Sequence, residues 1–392
     1  MPPFMPPRHR SAFLGLLASF TLAAIPSLAQ SPPVQTCQLG EFTLESGAKV
    51  PNFRMTYITH GTLNAEKSNA ILSIHGLRGD RTTQSAWAGP GRALDTDRYF
   101  VIQPDTMGVA SLDPNATTSP TRSGMNMAFP RFTMRDMVKA EHRMLTECLG
   151  IRKLVAVTGT SMGGIASMQW AVSFPDFMDA VIPLVPQAYV NRQSNFIWEA
   201  ARQTIMLDPK WRDGAYPADD PPKRGTGIGM LIQNAFGISA GGFEEMFAKA
   251  DQVHGFYRQS AEQIGNTTQA RDWIYRTWAI ESHDIAQTPG FNGDLIAAAR
   301  SIKARLLLIP NCFDQLLPPG ESGVMTVAAH APNAKIVDVD DLGGHGGTRA
   351  PRGIATITSE IRDLLQRISD GRPGFSGPQY PRHWSRPDRC PG

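Results

Sequence analysis

Short apolar runs alternate with helix-spaced stretches along most of the chain. Residues 70–74, 99–103, 154–157, 180–185, 304–309 and 335–339 are short, apolar and bounded by turn formers, and residues 53–59 carry strand character. Residues 134–149 place Met137, Met144, Leu145 and Cys148 on helical spacing, with Gly150 as a stop. Residues 165–172 read as helix, and residues 354–368 as a closing amphipathic helix. Apolar strands separated by helices predict an α/β fold: a mostly parallel central sheet with helices on both faces. Between residues 191 and 302 the strand pattern disappears. Helical stretches at 195–206, 242–252 and 272–283 take over, rich in aromatic residues that read mainly as packing groups. A helical insertion between two sheet strands predicts a lid over a pocket.

The ends of the chain have a different character. Arg8, His9 and Arg10 precede an apolar run from Ala12 to Ile25, followed by Pro26 and the small-residue end Ser27-Leu28-Ala29. This pattern predicts a signal peptide over residues 1–29, cleaved after Ala29, and hence a periplasmic or secreted product. No later run of 18 apolar residues predicts a membrane span. The expected organisation is core at 30–190, lid at 191–302, core again at 303–369, and a Pro/Gly/Arg-rich tail at 370–392. The four cysteines are Cys37, Cys148, Cys312 and Cys390. An exported chain can pair them, and Cys37 with Cys390, near the two ends of the mature chain, is the expected bridge.

Composition narrows the chemistry. Lys and Arg number 38 against 35 Asp and Glu, a formal charge of +3, too weak to argue for nucleic acid. Loss of Arg8 and Arg10 with the signal would leave the product almost neutral. No HExxH, CxxC or dinucleotide-type glycine loop points to a metal or redox cofactor, so none is expected.

The informative segment is Gly159-Thr160-Ser161-Met162-Gly163-Gly164, between a strand and a helix. A GxSxG motif in that setting predicts a nucleophile elbow with Ser161 as nucleophile. The acid and the base should follow in the order Ser, acid, His. Asp314 follows the strand at 304–309, and His345 lies in a glycine-rich loop after the strand at 335–339, so both stand where ligands bind in open α/β sheets. His75, His254, His283 and His330 are weaker candidates, as are Asp338, Asp340 and Asp341. The amides of Met162 and Leu77 are the expected oxyanion donors. Arg78 either pairs with Asp80 as a solvated bridge, the favoured reading, or points inward toward an anionic substrate.

With these residues in place the chain resembles the homoserine O-acetyltransferase (MetX-like) family of α/β-hydrolases from about Asn52 to Leu365. The resemblance rests on His75-Gly-Leu-Arg-Gly-Asp80, on Gly89-Pro-Gly-Arg-Ala-Leu-Asp-Thr-Asp-Arg-Tyr-Phe100, on Phe129-Pro-Arg-Phe-Thr-Met-Arg-Asp-Met137, and on the elbow with Gln169-Trp170-Ala171-Val172 and Phe174-Pro175. Asn195-Phe196 through Arg202-Gln203 and Asp314 with Leu316-Leu317-Pro318 add to it. It implies an α/β-hydrolase fold with a helical lid, a triad at Ser161, Asp314 and His345, and a homodimer through the lid. The departures from the family are informative. Met230 and Gly237 stand where it carries a substrate-binding Arg and Tyr, Gly346 stands for an Asp, and Arg78 for a Thr. Loss of these polar groups argues against homoserine as acceptor. Arg78, Met230 and Phe236 are the candidate substrate contacts.

The resulting expectation is an exported serine hydrolase that cleaves a small-molecule carboxylic ester. O-acyl transfer, amide hydrolysis on the same triad, and an inactive binding protein remain the alternatives. Acyl-CoA donors are cytoplasmic, whereas water is available outside, which favours hydrolysis.

Overall fold

The computed structural model describes residues 31–109 and 116–375. The expected signal segment and residues 376–392 of the expected tail lie outside the described residues. Eight strands form the main sheet: β1 (Gln35–Thr43), β2 (Lys49–His60), β3 (Ala70–Ile74), β4 (Phe100–Pro104), β5 (Leu154–Thr160), β6 (Met178–Leu184), β7 (Arg305–Leu308) and β8 (Ala334–Ile336). Their order across the sheet is β1-β2-β4-β3-β5-β6-β7-β8. The β1–β2 and β2–β4 pairs are antiparallel and all later pairs are parallel.

The central strands are buried on both faces, which explains their unbroken apolar runs. Within them the side chains still alternate. Leu72 and Ile74 join the core on one face, and Ile71 and Val101 join the core on the other. The first face is covered by α1 (Met134–Arg143) and α2 (Met162–Ser173), the second by α10 (Pro351–Ser369). Ile357, Ile361, Leu364 and Leu365 of α10 keep helical spacing and all face the sheet.

Between β6 and β7 the chain forms α3 (Arg192–Met206), α4 (Lys223–Phe236), α5 (Ala240–Met246), α6 (Ala250–Thr267), α7 (Ala270–Glu281) and α8 (Leu295–Arg300). Helix α9 (Val324–His330) then links β7 to β8. The single helix expected at 242–252 is two, broken at Phe247, whose backbone is extended. The helix expected over 134–149 is α-helical to Arg143 and finishes as a π turn, Met144–Cys148. The last strand is three residues long, shorter than its apolar run.

The expected Cys37–Cys390 bridge is not formed. Cys37 of β1 pairs with Cys148 at the end of the π turn. The apolar face of β1 brings Cys37, Leu39 and Phe42 onto the same core as Met144 and Leu145, so the two thiols meet there. Of the expected tail, residues 370–375 are described. The Arg372 carbonyl accepts from Arg305, and Phe375 packs against the α10 side of the sheet.

Candidate active site

Strand β5 ends in a turn that holds Ser161 at φ 62°, ψ −118°, and α2 starts at the next residue. A non-glycine residue in that region costs about 1–3 kcal/mol and persists only where its surroundings enforce it. Here the Ser161 N–H donates to the Leu184 carbonyl, and its carbonyl accepts from Ile165. A Cβ at Gly163 would lie 2.1 Å from the Ile74 carbonyl oxygen, and one at Gly159 2.5 Å from the same atom. Both glycines are therefore required for α2 to start against the end of β3.

The loops after β7 and β8 bring Asp314 and His345 to Ser161. The Ser161 hydroxyl is 2.8 Å from His345 Nε2, and His345 Nδ1 is 2.6 Å from Asp314 Oδ2. An ionised carboxylate only accepts, so Nδ1 carries the proton and Nε2 is free to accept from the serine. The Asp314 carboxylate is buried, and its Oδ1 accepts the amides of Leu316 and Leu317, each at 2.9 Å. The three residues expected from the sequence thus meet in one chain of hydrogen bonds.

Two residues that sequence reasoning missed hold the histidine loop. Asn311 is fully buried, and its Nδ2 donates to the carbonyls of Asp341 and Gly344. The His345 amide donates to the carbonyl of Gly237 at the end of α4. No local sequence signal marks either, because each acts across a long chain separation.

The other expected residues frame the serine. Met162 opens α2, so its amide has no acceptor within the helix. In the loop after β3, a Cβ on Gly76 would lie 3.5 Å from the Ser161 Cβ. Leu77, next in that loop, is buried. The buried His75 fixes the loop: its Nδ1 lies 2.7 Å from the Gly76 carbonyl, and its Nε2 faces the amide and hydroxyl of Thr106. Burial lowers its pKa, which suits a neutral, structural ring. His283 is also outside the triad. It is buried against the Gln187 carbonyl, and burial pushes its pKa down to about 4.

Arg78 does not form the expected bridge to Asp80. Asp80 instead accepts the amide and hydroxyl of Thr82, and Arg78 remains exposed. Met230 is fully buried, and Phe236 is half-buried against the main core. Thr226, Met230, Gln233 and Gly237 recur at helical spacing on the buried face of α4, and Gly237 ends that face against His345. The Gln233 Oε1 is buried without a hydrogen-bond partner among the described residues.

Residues 69–340 match the family described as alpha/beta hydrolase fold. A homoserine O-acetyltransferase from Zymomonas mobilis is 32% identical over 337 residues, covering 78% of this chain and 90% of its own length. The chain belongs to the homoserine O-acetyltransferase family of alpha/beta hydrolases. Among solved structures, a homoserine O-acetyltransferase from Bacillus anthracis is similar at 26% identity and a TM-score of 0.73, covering 86% of this chain and 98% of its own. An acetylester hydrolase from Corynebacterium glutamicum has the same fold at 24% identity and a TM-score of 0.76, covering 85% and 96%. An enzyme of this family performs acyl transfer or hydrolysis. Met230, the position where the sequence resemblance places a family Arg, is buried and uncharged, and Gly237 leaves the space beside His345 without a side chain. No helix among the described residues is long and apolar enough to cross a membrane.

Proposed function

We propose that this protein is an exported serine hydrolase that cleaves a carboxylic ester through an acyl-enzyme on Ser161. The observation that carries the reading is the hydrogen-bonded chain Ser161–His345–Asp314 at a strained elbow. In this reading His345 Nε2 takes the hydroxyl proton as Ser161 Oγ attacks the ester carbonyl. The amides of Met162 and Leu77 hold the oxyanion. His345 then gives its proton to the leaving alcohol, and the acyl-enzyme forms. A water molecule attacks the acyl carbonyl, His345 takes its proton, and the carboxylic acid leaves as the proton returns to Ser161 Oγ. Asp314 keeps the ring in the tautomer that both halves need.

The test is turnover of short p-nitrophenyl esters together with labelling by a fluorophosphonate probe. The wild-type protein should do both, and Ser161→Ala neither. Unchanged turnover in Ser161→Ala would remove the assignment, and an unlabelled wild-type protein would favour an inactive binding protein. Acyl transfer is the second reading, supported by the names of the relatives. It would be preferred if an added alcohol captured the acyl group faster than water does. Amide hydrolysis on the same residues would show in a parallel screen of anilides.

Export rests on the sequence pattern of residues 1–29 and is tested by cell fractionation and N-terminal sequencing of the product. A homodimer through the helical insertion is supported by the exposed apolar side chains Phe196, Leu207, Val253, Phe256 and Tyr257 on and beside α3 and α6. Light scattering giving the mass of one chain would remove it.

A further inference from the structure

The Leu77 amide sits inside a tight turn. The Gly79 N–H donates to the Gly76 carbonyl at 2.9 Å, so Leu77 and Arg78 are the central residues. The shape of that turn decides where the Leu77 N–H points. Gly76 faces the elbow, where a Cβ on it would lie 3.5 Å from the Ser161 Cβ. His75 holds this end of the turn through the Gly76 carbonyl, 2.7 Å from its Nδ1. The other end, Gly79, is met from the helical insertion.

Arg276 of α7 is buried. Its Nη1 donates to the Gly79 carbonyl at 3.4 Å, and its Nε donates to the Asp272 carbonyl, one turn back on α7, at 3.3 Å. It takes part in no ion pair among the described residues. The carboxylates around it are engaged elsewhere: Asp105 with Arg81, Asp80 with Thr82, and Asp272 with the Thr121 amide. Burial pushes the Arg276 pKa down to about 10, against the opposite effect of Asp272, Asp105 and Asp80, so the group stays a cation at neutral pH. Both hydrogen bonds are long, and the stem supplies the rest of the fixation. Gly108, after β4, has φ 88°, and a Cβ there would lie 2.8 Å from Arg276 Cγ and 2.7 Å from Phe132 Cζ. A buried cation keeps its carbonyl partners, because losing one leaves part of its charge unsolvated.

We propose that Arg276 is a positioning residue, which ties α7 to the 76–79 turn and so holds the Leu77 amide on the oxyanion. It rests on the ester reading of Ser161, in which that amide is a donor. The oxyanion exists only after Ser161 Oγ has attacked. A mis-aimed amide therefore weakens the transition state and leaves substrate binding almost unchanged. Removing a whole oxyanion donor costs about 10²–10³ in kcat, and removing its support should cost about 10- to 100-fold.

The test compares the wild-type protein with Arg276→Met and Arg276→Lys by two readouts. Arg276→Met keeps a stem and loses the fork, whereas Arg276→Lys keeps stem and charge but cannot reach both carbonyls. The first readout is hydrolysis of p-nitrophenyl acetate, expressed per site labelled to completion by a fluorophosphonate. The second is inhibition by a trifluoromethyl ketone, with the adduct followed by fluorine NMR. Ser161 Oγ bonds to the ketone carbon, its proton passes to His345 Nε2, and the carbonyl π pair becomes an oxyanion that faces the same amides.

In Arg276→Met, kcat per site should fall about 10- to 100-fold while KM stays within about threefold. The ketone Ki should rise by the factor by which kcat/KM falls, and Arg276→Lys should lie between the two proteins. An unchanged kcat per site, a fall in kcat with an unchanged Ki, or a change confined to KM overturns the proposal. Misfolding alone lowers the number of labelled sites and leaves both values per site as in wild type. Where Arg276→Met does not fold, Arg276→Lys carries the same comparison. Wild-type turnover that is indifferent to Arg276 removes this proposal alone. If the ketone adduct depends on Arg276 while no ester is turned over, the positioning role stands and the hydrolase reading falls. A wild-type protein that neither turns over an ester nor forms the adduct removes both.

Discussion

The backbone amide of His345 donates to the carbonyl of Gly237 at 2.6 Å, so the main chain of the helical insertion holds the residue that faces Ser161. A Cβ on Gly237 would lie 3.4 Å from the His345 Cβ and 3.2 Å from the Asn234 carbonyl oxygen. Gly237 has an ordinary helical φ of −77°, so a larger residue is opposed by these two contacts and not by its own backbone conformation. Gly237→Ala should therefore stay near wild type, while the branched Gly237→Val should displace the ring. A displacement of about 1 Å is enough for a loss on the order of 100-fold in kcat. Steady-state kinetics beside thermal melting checks this. A Val variant with normal kcat, or one whose activity falls only because it unfolds, would refute the coupling.

The Asp314 carboxylate uses one oxygen for two amides and the other for His345. In Asp314→Asn the side-chain oxygen can still take the two amides, which turns the NH2 group toward the ring. The ring must then accept at Nδ1 and protonate Nε2, the wrong tautomer for a base toward Ser161. The expected loss is about 10⁴ in kcat with the fold retained, as found where the same exchange is made in a serine triad. Turnover within tenfold of wild type would show that Asp314 does not orient the base.

The elbow, the acid and the histidine were legible because each depends on a short local pattern: a strand end followed by a glycine, a serine or an acid. The central strands were legible because burial on both faces leaves an unbroken apolar run. Strand β1 was not anticipated. It is an edge strand buried on one side only, with an irregular register around Gly40, so its apolar residues are too sparse to stand out. Helix α6 was seen only at its start, because most of its length is exposed and polar. The Cys37–Cys148 bridge was misassigned for a different reason. It depends on which edge of the sheet α1 packs against, a tertiary fact. It closes 111 residues, a length for which chain entropy gives about 4–5 kcal/mol. Asn311 and Gly237 act on His345 through space, and sequence proximity carries no trace of that.

Gln233 lies on the same buried face of α4 as Gly237, and its side-chain oxygen has no partner among the described residues. A buried polar atom left unpaired costs about 1–3 kcal/mol, so Gln233→Leu should leave stability unchanged or raise it by about that amount. If the amide faces the substrate, the same variant should raise KM for the preferred ester. Denaturant unfolding and steady-state kinetics together test this. A less stable protein with an unaltered KM would show that the amide serves packing only.

Glu141 lies wholly buried on α1, with Oε2 accepting from the Trp170 indole at 2.8 Å and Oε1 unpaired among the described residues. Burial pushes its pKa up from 4.5 to about 8, against the smaller, opposite effect of the indole hydrogen bond. The native protein thus keeps this proton between about pH 4.5 and 8, where the unfolded chain releases it. The raised pKa contributes stability in full below the unfolded value, and that contribution is lost as pH rises through the native one. The slope within that window is at most about 1.4 kcal/mol per pH unit. Glu141→Gln keeps an acceptor for Trp170 and cannot ionise. Its unfolding free energy relative to wild type should therefore grow steadily from pH 5 to pH 8. Urea titrations of the two proteins across that range give the comparison, and two curves that run parallel would mean that Glu141 is ionised in the native core.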